Sequence, residues 1–319
     1  MAIGLGFLAL LVGLAVFKDL SLKTILTQLL HGLTASMVLI LISAGLTFVA
    51  GILHVINISH AVLYTAGAFL GISITWVVGD GCWGSLCIAP FWFALVGAPL
   101  GIGVVGYALE RVAIRRIYAR DPIYSLLLTL GLTLILTRVI ELLWGHEPLA
   151  MARPDFVKGL FDFGFMYYPK NRLFVLVTGA IITVMTGLFL RKTNFGLIMR
   201  AGVYDPEIVG ALGINVGRIF AMVFTFSAML AALAGVISSV MFRIHPEQGN
   251  SLIIEAFIVL VIGGMGSFRG AVVGALMLGM AKALGALFVA GFSDILVYVV
   301  MTVVLLVRPQ GLFGQAKMR

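Results

Sequence analysis

FGLIMRAGVYDPEIVGALGINVGRI, residues 195–219, is the one long polar interruption in the chain, and both of its flanks are too apolar for water. Arg200, Asp205, Glu207 and Arg218 are charged, Asp205-Pro206 is a turn and helix-start signal, and Gly210 and Gly213 loosen the backbone ahead of Ile214. The pattern predicts a short helix, a break and a second helix. Ile198, Met199, Val203, Ile208, Val209, Leu212 and Ile214 form an amphipathic strip rather than a span. A strip of this kind lies on a membrane surface or inserts into a partner.

Around this stretch, the 319 residues are 61% hydrophobic and 11% charged, more apolar surface than one water-soluble core can hide. Lipid must be the solvent for much of the chain, which makes it an all-α, polytopic integral membrane protein. The 38 glycines agree, since glycine lets membrane helices approach closely. The net charge of +8 sits in short loops rather than in one basic run, so it sets topology and does not signal nucleic acid. Cys82 and Cys87 share one short loop, as a disulfide or as two free thiols.

In chain order, 2–17 reads as a short N-terminal span, and 20–30 as an interfacial amphipathic helix. Residues 32–78 are apolar for longer than one crossing requires. Their only polar cluster, His54, Asn57, Ser59 and His60, marks a break between two helices near 53–61. Further spans come at about 88–107, 123–143, 173–190, 219–240, 252–264, 271–290 and 295–307, about ten membrane segments in all. Basic residues gather in 110–121 (Arg111, Arg115, Arg116, Arg120), after residue 190 (Arg191, Lys192, Arg200, Arg218) and in the tail (Arg308, Lys317, Arg319), so these regions and both termini are expected in the cytoplasm. The cysteine loop and residues 145–171 then lie outside.

Residues 55–71 and 262–278 align without gaps, placing His60 over Ser267 at two matching breaks; such pairs point to a substrate pathway in transporters. Asn57, Ser59 and His60 can bind the carboxylate or amino group of a solute, or can simply cap broken backbone and glue helices together. The second break, Gly263 to Ser267, offers backbone amides or close packing. Lys282 falls near mid-span and needs an acidic partner or water, whereas Glu255 lies near the start of its span. Arg138 and Glu141 are spaced as a helical ion pair. Two histidines without acidic or cysteine company give no metal site, and no set of residues suggests catalysis. The chain carries no G-x-x-x-x-G-K-[ST] loop to cradle ATP.

NISH at 57–60 with Tyr64 and Gly67-Ala68, LERVAIRRI at 109–117, RAGVYDPEIVGALGINVGRI at 200–219, GGMGSFRGAVVGALMLG at 263–279 and RPQGLFG at 308–314 together resemble the permeases of branched-chain amino acid ABC importers, and more narrowly their LivH-type subunit. The resemblance covers about 20–314. It departs at 2–17, an added span, and at Ala61, where this motif favours Gly.

The resemblance implies one permease domain over 1–314 of a bacterial inner-membrane importer, with 1–19 as an extra span and 315–319 as a cytoplasmic tail. A LivM-like second permease, two cytoplasmic ABC ATPases that use the ATP, and a periplasmic substrate-binding protein would complete the system, with membrane lipid around it. This chain would bind no cofactor. Residues 195–219 would be the segment that couples to an ATPase through Arg200, Asp205, Glu207 and Gly213, and Asn57, Ser59, His60 and Ser267 would line the substrate pathway. Relatives of this type also carry urea, short amides or aromatic acids. From another class, an ion-coupled secondary transporter would use broken helices equally well, although only Glu255 could bind a cation inside the membrane.

Overall fold

The structure, a computed structural model, describes residues 21–79, 89–118, 120–204, 206–288 and 293–314. The expected span at 2–17, the Cys82 and Cys87 loop, Asp205 and the tail 315–319 lie outside the described residues, as does the side chain of Glu207.

Helix α1 (Leu22–Phe48) starts at Ser21, whose hydroxyl accepts from the Thr24 amide at 3.3 Å, and its last turn widens into a π-turn, Val49–Leu53. The separate interfacial helix expected at 20–30 is therefore corrected: one 32-residue helical stretch runs from Leu22 to Leu53. Gly32 reads as a boundary in sequence, but it is a packing residue. A Cβ there would press on Met280, Ala283 and the Gly279 carbonyl.

Next come α2 (His60–Val78), α3 (Ala89–Val112), a 3₁₀ turn (Ile114–Ile117) and α4 (Pro122–Trp144), which opens on an Asp121 cap with proline at its first turn. A second 3₁₀ turn (Asp155–Val157) and a small antiparallel hairpin, β1 (Leu160–Asp162) with β2 (Tyr167–Pro169), precede α5 (Lys170–Lys192). Helices α6 (Asn194–Tyr204) and α7 (Pro206–Ala211) form the polar interruption. The chain continues through α8 (Val216–Ser239), α9 (Gln248–Gly263), α10 (Phe268–Phe288) and α11 (Ser293–Val307). Among the described residues seven helices are long and apolar enough to cross a membrane, and two shorter apolar helices, Gln248–Gly263 and Ile295–Val307, join them.

Helix α1 is the spine. It is buried along almost its whole length and packs against α10 most extensively, then α8, α5 and α9. Helix α8 in turn packs on α2 and α3, with Gly67 against Ala232 and Gly235 against the Tyr64 carbonyl, where no side chain would fit. Helices α4 and α5 lie at the periphery and expose apolar residues such as Leu134, Leu142, Ile181 and Val184.

The connections segregate to two ends. At one, the hairpin side meets the start of α1 through Thr34 and Tyr168 at 3.2 Å, and Leu149 bridges Ile244. At the other, residues 49–54, 113–118, 192–204, 206–218, 264–267 and 308–314 gather.

Candidate functional site

The first helix break runs back into the bundle. His54 takes a left-handed backbone (φ 55°), and the chain then climbs until the His60 Nε2–H reaches the Ile42 carbonyl at 3.0 Å. Ile42 stands roughly 16 Å up α1 from Leu53 at 1.5 Å per residue, so residues 54–59 are non-helical backbone at membrane depth. Thr129 of α4 satisfies that backbone, accepting from the Ile58 amide at 3.2 Å and donating to the Ile56 carbonyl at 3.0 Å. The Ser59 hydroxyl donates to Asn57 Oδ1 at 2.6 Å. Asn57, Ser59 and His60 are thus brought together, and all three are buried. His54 and Ile56 are the exposed side chains of the break.

This cluster has unspent hydrogen-bonding capacity. Among the described residues, Asn57 Nδ2, His60 Nδ1, Ser43 Oγ, Thr47 Oγ1 and Ser227 Oγ are buried without a partner. Donation by Nε2 leaves Nδ1 of a neutral imidazole as an acceptor. Gly45 explains how two of these groups share a space: a Cβ there would stand 2.9 Å from both His60 Cε1 and Ser227 Oγ, while Ser43 and Thr47, two residues to either side, lie on the opposite face of α1. Ser43, Thr47 and Ser227 escape a reading of the sequence because they are isolated hydroxyls inside apolar runs and belong to no motif.

The second break is built from glycine. Gly264 (φ 92°) and Gly266 (φ 78°) turn the chain, and Ser267 caps α10 by accepting from the Gly270 amide at 3.1 Å. The Gly266 amide donates to the Thr47 carbonyl at 3.2 Å, and Gly51 lies directly on the Gly266 backbone. Ser267 therefore does not join the Asn57 cluster. It lies beside the same helix, where the contacts at Ile42 and Thr47 are about 7 Å apart along α1.

Helix α6 underlies both breaks. A Cβ on Gly202 would be 3.6 Å from Ile52, and one on Gly266 would press on Val203. On the same segment Leu197, Tyr204 and Leu212 are exposed, 59%, 71% and 74% respectively, while Met199 and Val209 are buried. The Arg200 guanidinium donates to the Leu190 carbonyl, which ties α6 to the end of α5. Gly213 (φ 80°) is the turn before α8 and faces open space. The closing RPQGLFG run also reaches this end: Leu312 and Phe313 amides donate to the Ile262 and Gly263 carbonyls at 2.8 and 3.1 Å.

Buried Glu110 organises the neighbouring loop. It accepts from Arg115 Nε at 3.2 Å and from the Tyr118 hydroxyl at 3.0 Å, and Arg115 also donates to the Gly217 carbonyl at the start of α8. Burial first, then the adjacent carboxylate and its hydrogen bond, push the Tyr118 phenol well above its usual range. The sequence pattern assigns Arg115 only to topology; its partner Gly217 is 102 positions away, and no local pattern announces it.

The intramembrane charges are paired. Lys282 of α10 donates to Glu255 of α9 at 2.5 Å, and Arg138 pairs with Glu141, which His146 also approaches at 3.7 Å. Among the described residues no three histidine, cysteine or acidic side chains gather as metal ligands do.

A helical bundle with a buried polar break, an exposed amphipathic segment beneath it and no loop for nucleotide defines a polytopic membrane permease. Residues 28–307 match the family described as branched-chain amino acid transport system, permease component, and the chain belongs to that family, as the membrane component of an ABC transporter and not its ATPase. It is 32% identical over 302 residues to the high-affinity branched-chain amino acid transport permease BraD of Pseudomonas aeruginosa, covering 91% of this chain and 96% of that one. To LivH of Escherichia coli it is 30% identical over 303 residues, with the same 91% and 96% coverage. LivM of Escherichia coli is 27% identical over 300 residues, 89% of this chain and 69% of that protein.

Proposed function

We propose that the chain is a LivH-type permease subunit that moves branched-chain or closely related amino acids inward across a bacterial inner membrane. In this reading it forms one permease domain over 1–314, pairs with a LivM-like second permease, is driven by two cytoplasmic ABC ATPases, and receives solute from a periplasmic binding protein. Similarity to LivH covers nearly the whole of that protein, whereas similarity to LivM covers a smaller share, which supports the LivH-type role and the paired arrangement.

The observation that carries this reading is the segment 194–212. One side packs beneath both helix breaks, and the other presents Leu197, Tyr204 and Leu212 to a partner. A motor gripping that apolar strip would move Gly202 and Val203, and with them Ile52 and Gly266. The end that holds this segment carries Arg111, Arg115, Arg116, Arg191, Lys192, Arg218 and Arg308, which supports a cytoplasmic placement for it and for both termini. Neutral donors and acceptors around Asn57 and His60 suit a zwitterionic solute. The ion-coupled alternative loses its one candidate carboxylate, since Glu255 already binds Lys282.

The test is uptake by the reconstituted complex, with labelled amino acids, urea, short amides and aromatic acids, with and without ATP. ATP-dependent accumulation of branched-chain amino acids supports the proposal; accumulation of another class reassigns the solute. Glu207→Arg and Leu212→Asp should each lower ATPase association and uptake by tenfold or more, about 1.4 kcal/mol of lost contact, while the permease stays folded. Unchanged uptake in both variants removes the coupling role.

A further inference from the structure

A cavity of about 880 Å³ opens between α5, α6 and the start of α10, and α5 is among the spans least buried within the protein. Its walls are zoned. On α5, Arg191 stands at the helix end, and Leu188 and Val184 lie one and two turns deeper on the same face. On α10, Arg269 stands in the first turn and Val272 and Val273 lie one turn deeper. Both helices therefore present a guanidinium at the membrane boundary and aliphatic groups below it. Arg200 adds a third cation, and among the described residues no acidic side chain lines the cavity. Among the described residues neither Arg191 nor Arg269 has an ion-pair partner. The buried Thr183 hydroxyl, also in this wall, is unpartnered as well.

The geometry points to a binding site for one anionic phospholipid, with its phosphate between Arg191 and Arg269 and an acyl chain laid along Val184, Leu188 and Val272. Charge complementarity selects the headgroup, because guanidinium groups with no described carboxylate beside them bind a net-anionic phosphate more strongly than a neutral acceptor. The aliphatic depth of the groove selects a lipid over a free anion. The site adjoins Met265, Gly266 and Val203, so its occupant would touch the contact between α6 and the second break.

The full chain, purified with the subunits that accompany it and delipidated, is titrated with phosphatidylglycerol and with phosphatidylcholine, and bound lipid is counted by native mass spectrometry. Phosphatidylglycerol should be retained preferentially. Arg191→Gln and Arg269→Gln should each lower its affinity about fivefold, the ratio equal to about 1 kcal/mol per basic residue at an anionic leaflet. Val184→Trp, which fills the groove and leaves every charge in place, should also displace it. Equal retention of the two lipids, or a preference that survives the paired arginine substitutions, overturns the proposal. Equal competition by inorganic phosphate overturns the lipid assignment in favour of a free anion. Failure of the delipidated complex to retain either lipid overturns it in favour of a protein interface.

Discussion

A polar side chain inside a membrane bundle costs about 1–3 kcal/mol when nothing answers its hydrogen bond. Among the described residues such atoms occur on Asn57 and His60 at the first break, on Ser227 beside His60, and on Ser43 and Thr47 one turn apart on another face of α1. Structural glue would spend that capacity on neighbouring helices, as Thr129 does for the Ile56 and Ile58 backbone. Unspent capacity beside a break is available to a passing solute. Asn57→Leu should therefore lower uptake by roughly tenfold, the loss of about 1.4 kcal/mol, without reducing the yield of assembled complex. Wild-type kinetics in that variant would return the cluster to a packing role.

Tyr118, half-buried outside the spans, supplies a second test. Its hydroxyl donates to buried Glu110, and its folded pKa is raised above the unfolded value near 10. A raised folded pKa means the contribution is complete below about pH 10 and is lost as pH climbs beyond it. Tyr118→Phe should thus cost about 1.5–3 kcal/mol at neutral pH, the worth of a hydrogen bond to a charged group, and the gap to wild type should narrow above pH 10 in thermal melts.

Among the elements, the two breaks were legible because each interrupts an apolar run with residues that no uninterrupted helix favours: a polar quartet in one case, glycines in the other. Their gapless alignment holds to within one position, since His60 opens α2 while Ser267 precedes α10. The surfaces that meet could not be read. Nothing local says that Gly51 rests on Gly266, that Gly32 is a contact and not a boundary, or that the loop 145–171 contains a hairpin whose three-residue strands are too short to show alternation. Glycine chemistry supplies the check on this scale. Gly266→Val needs a left-handed backbone and pushes into Val203, so it should destabilise by about 1–3 kcal/mol and reduce ATP-driven uptake. Gly131→Val, on an open face of α4 with nothing within 4 Å, should change stability by no more than about 0.5 kcal/mol.

For the whole molecule, the division into two ends is the main organising fact. One end is held by the ring contact and hydrogen bond of Tyr168 with α1 and by the bond from Arg153 to the Met241 carbonyl, the other by the Glu110 network, α6 and the closing glycine turn. Movement delivered at the second end has a short path to the Asn57 cluster, because both breaks lean on a single helix. The phospholipid groove sits at that same end and faces outward, so the membrane itself would share the boundary at which α6 meets Gly266.

The dominance of α1 by α10 has a consequence for biogenesis. Among the described helices α1 leaves the ribosome first, yet the surface that covers Gly32 and Ser36 is not translated until α10 is made, after every other described helix but α11. Until then the nascent spine must wait beside the translocon with a small-residue seam that lipid fills poorly. Any stall before codon 268 would leave that seam for the membrane's quality-control proteases to find.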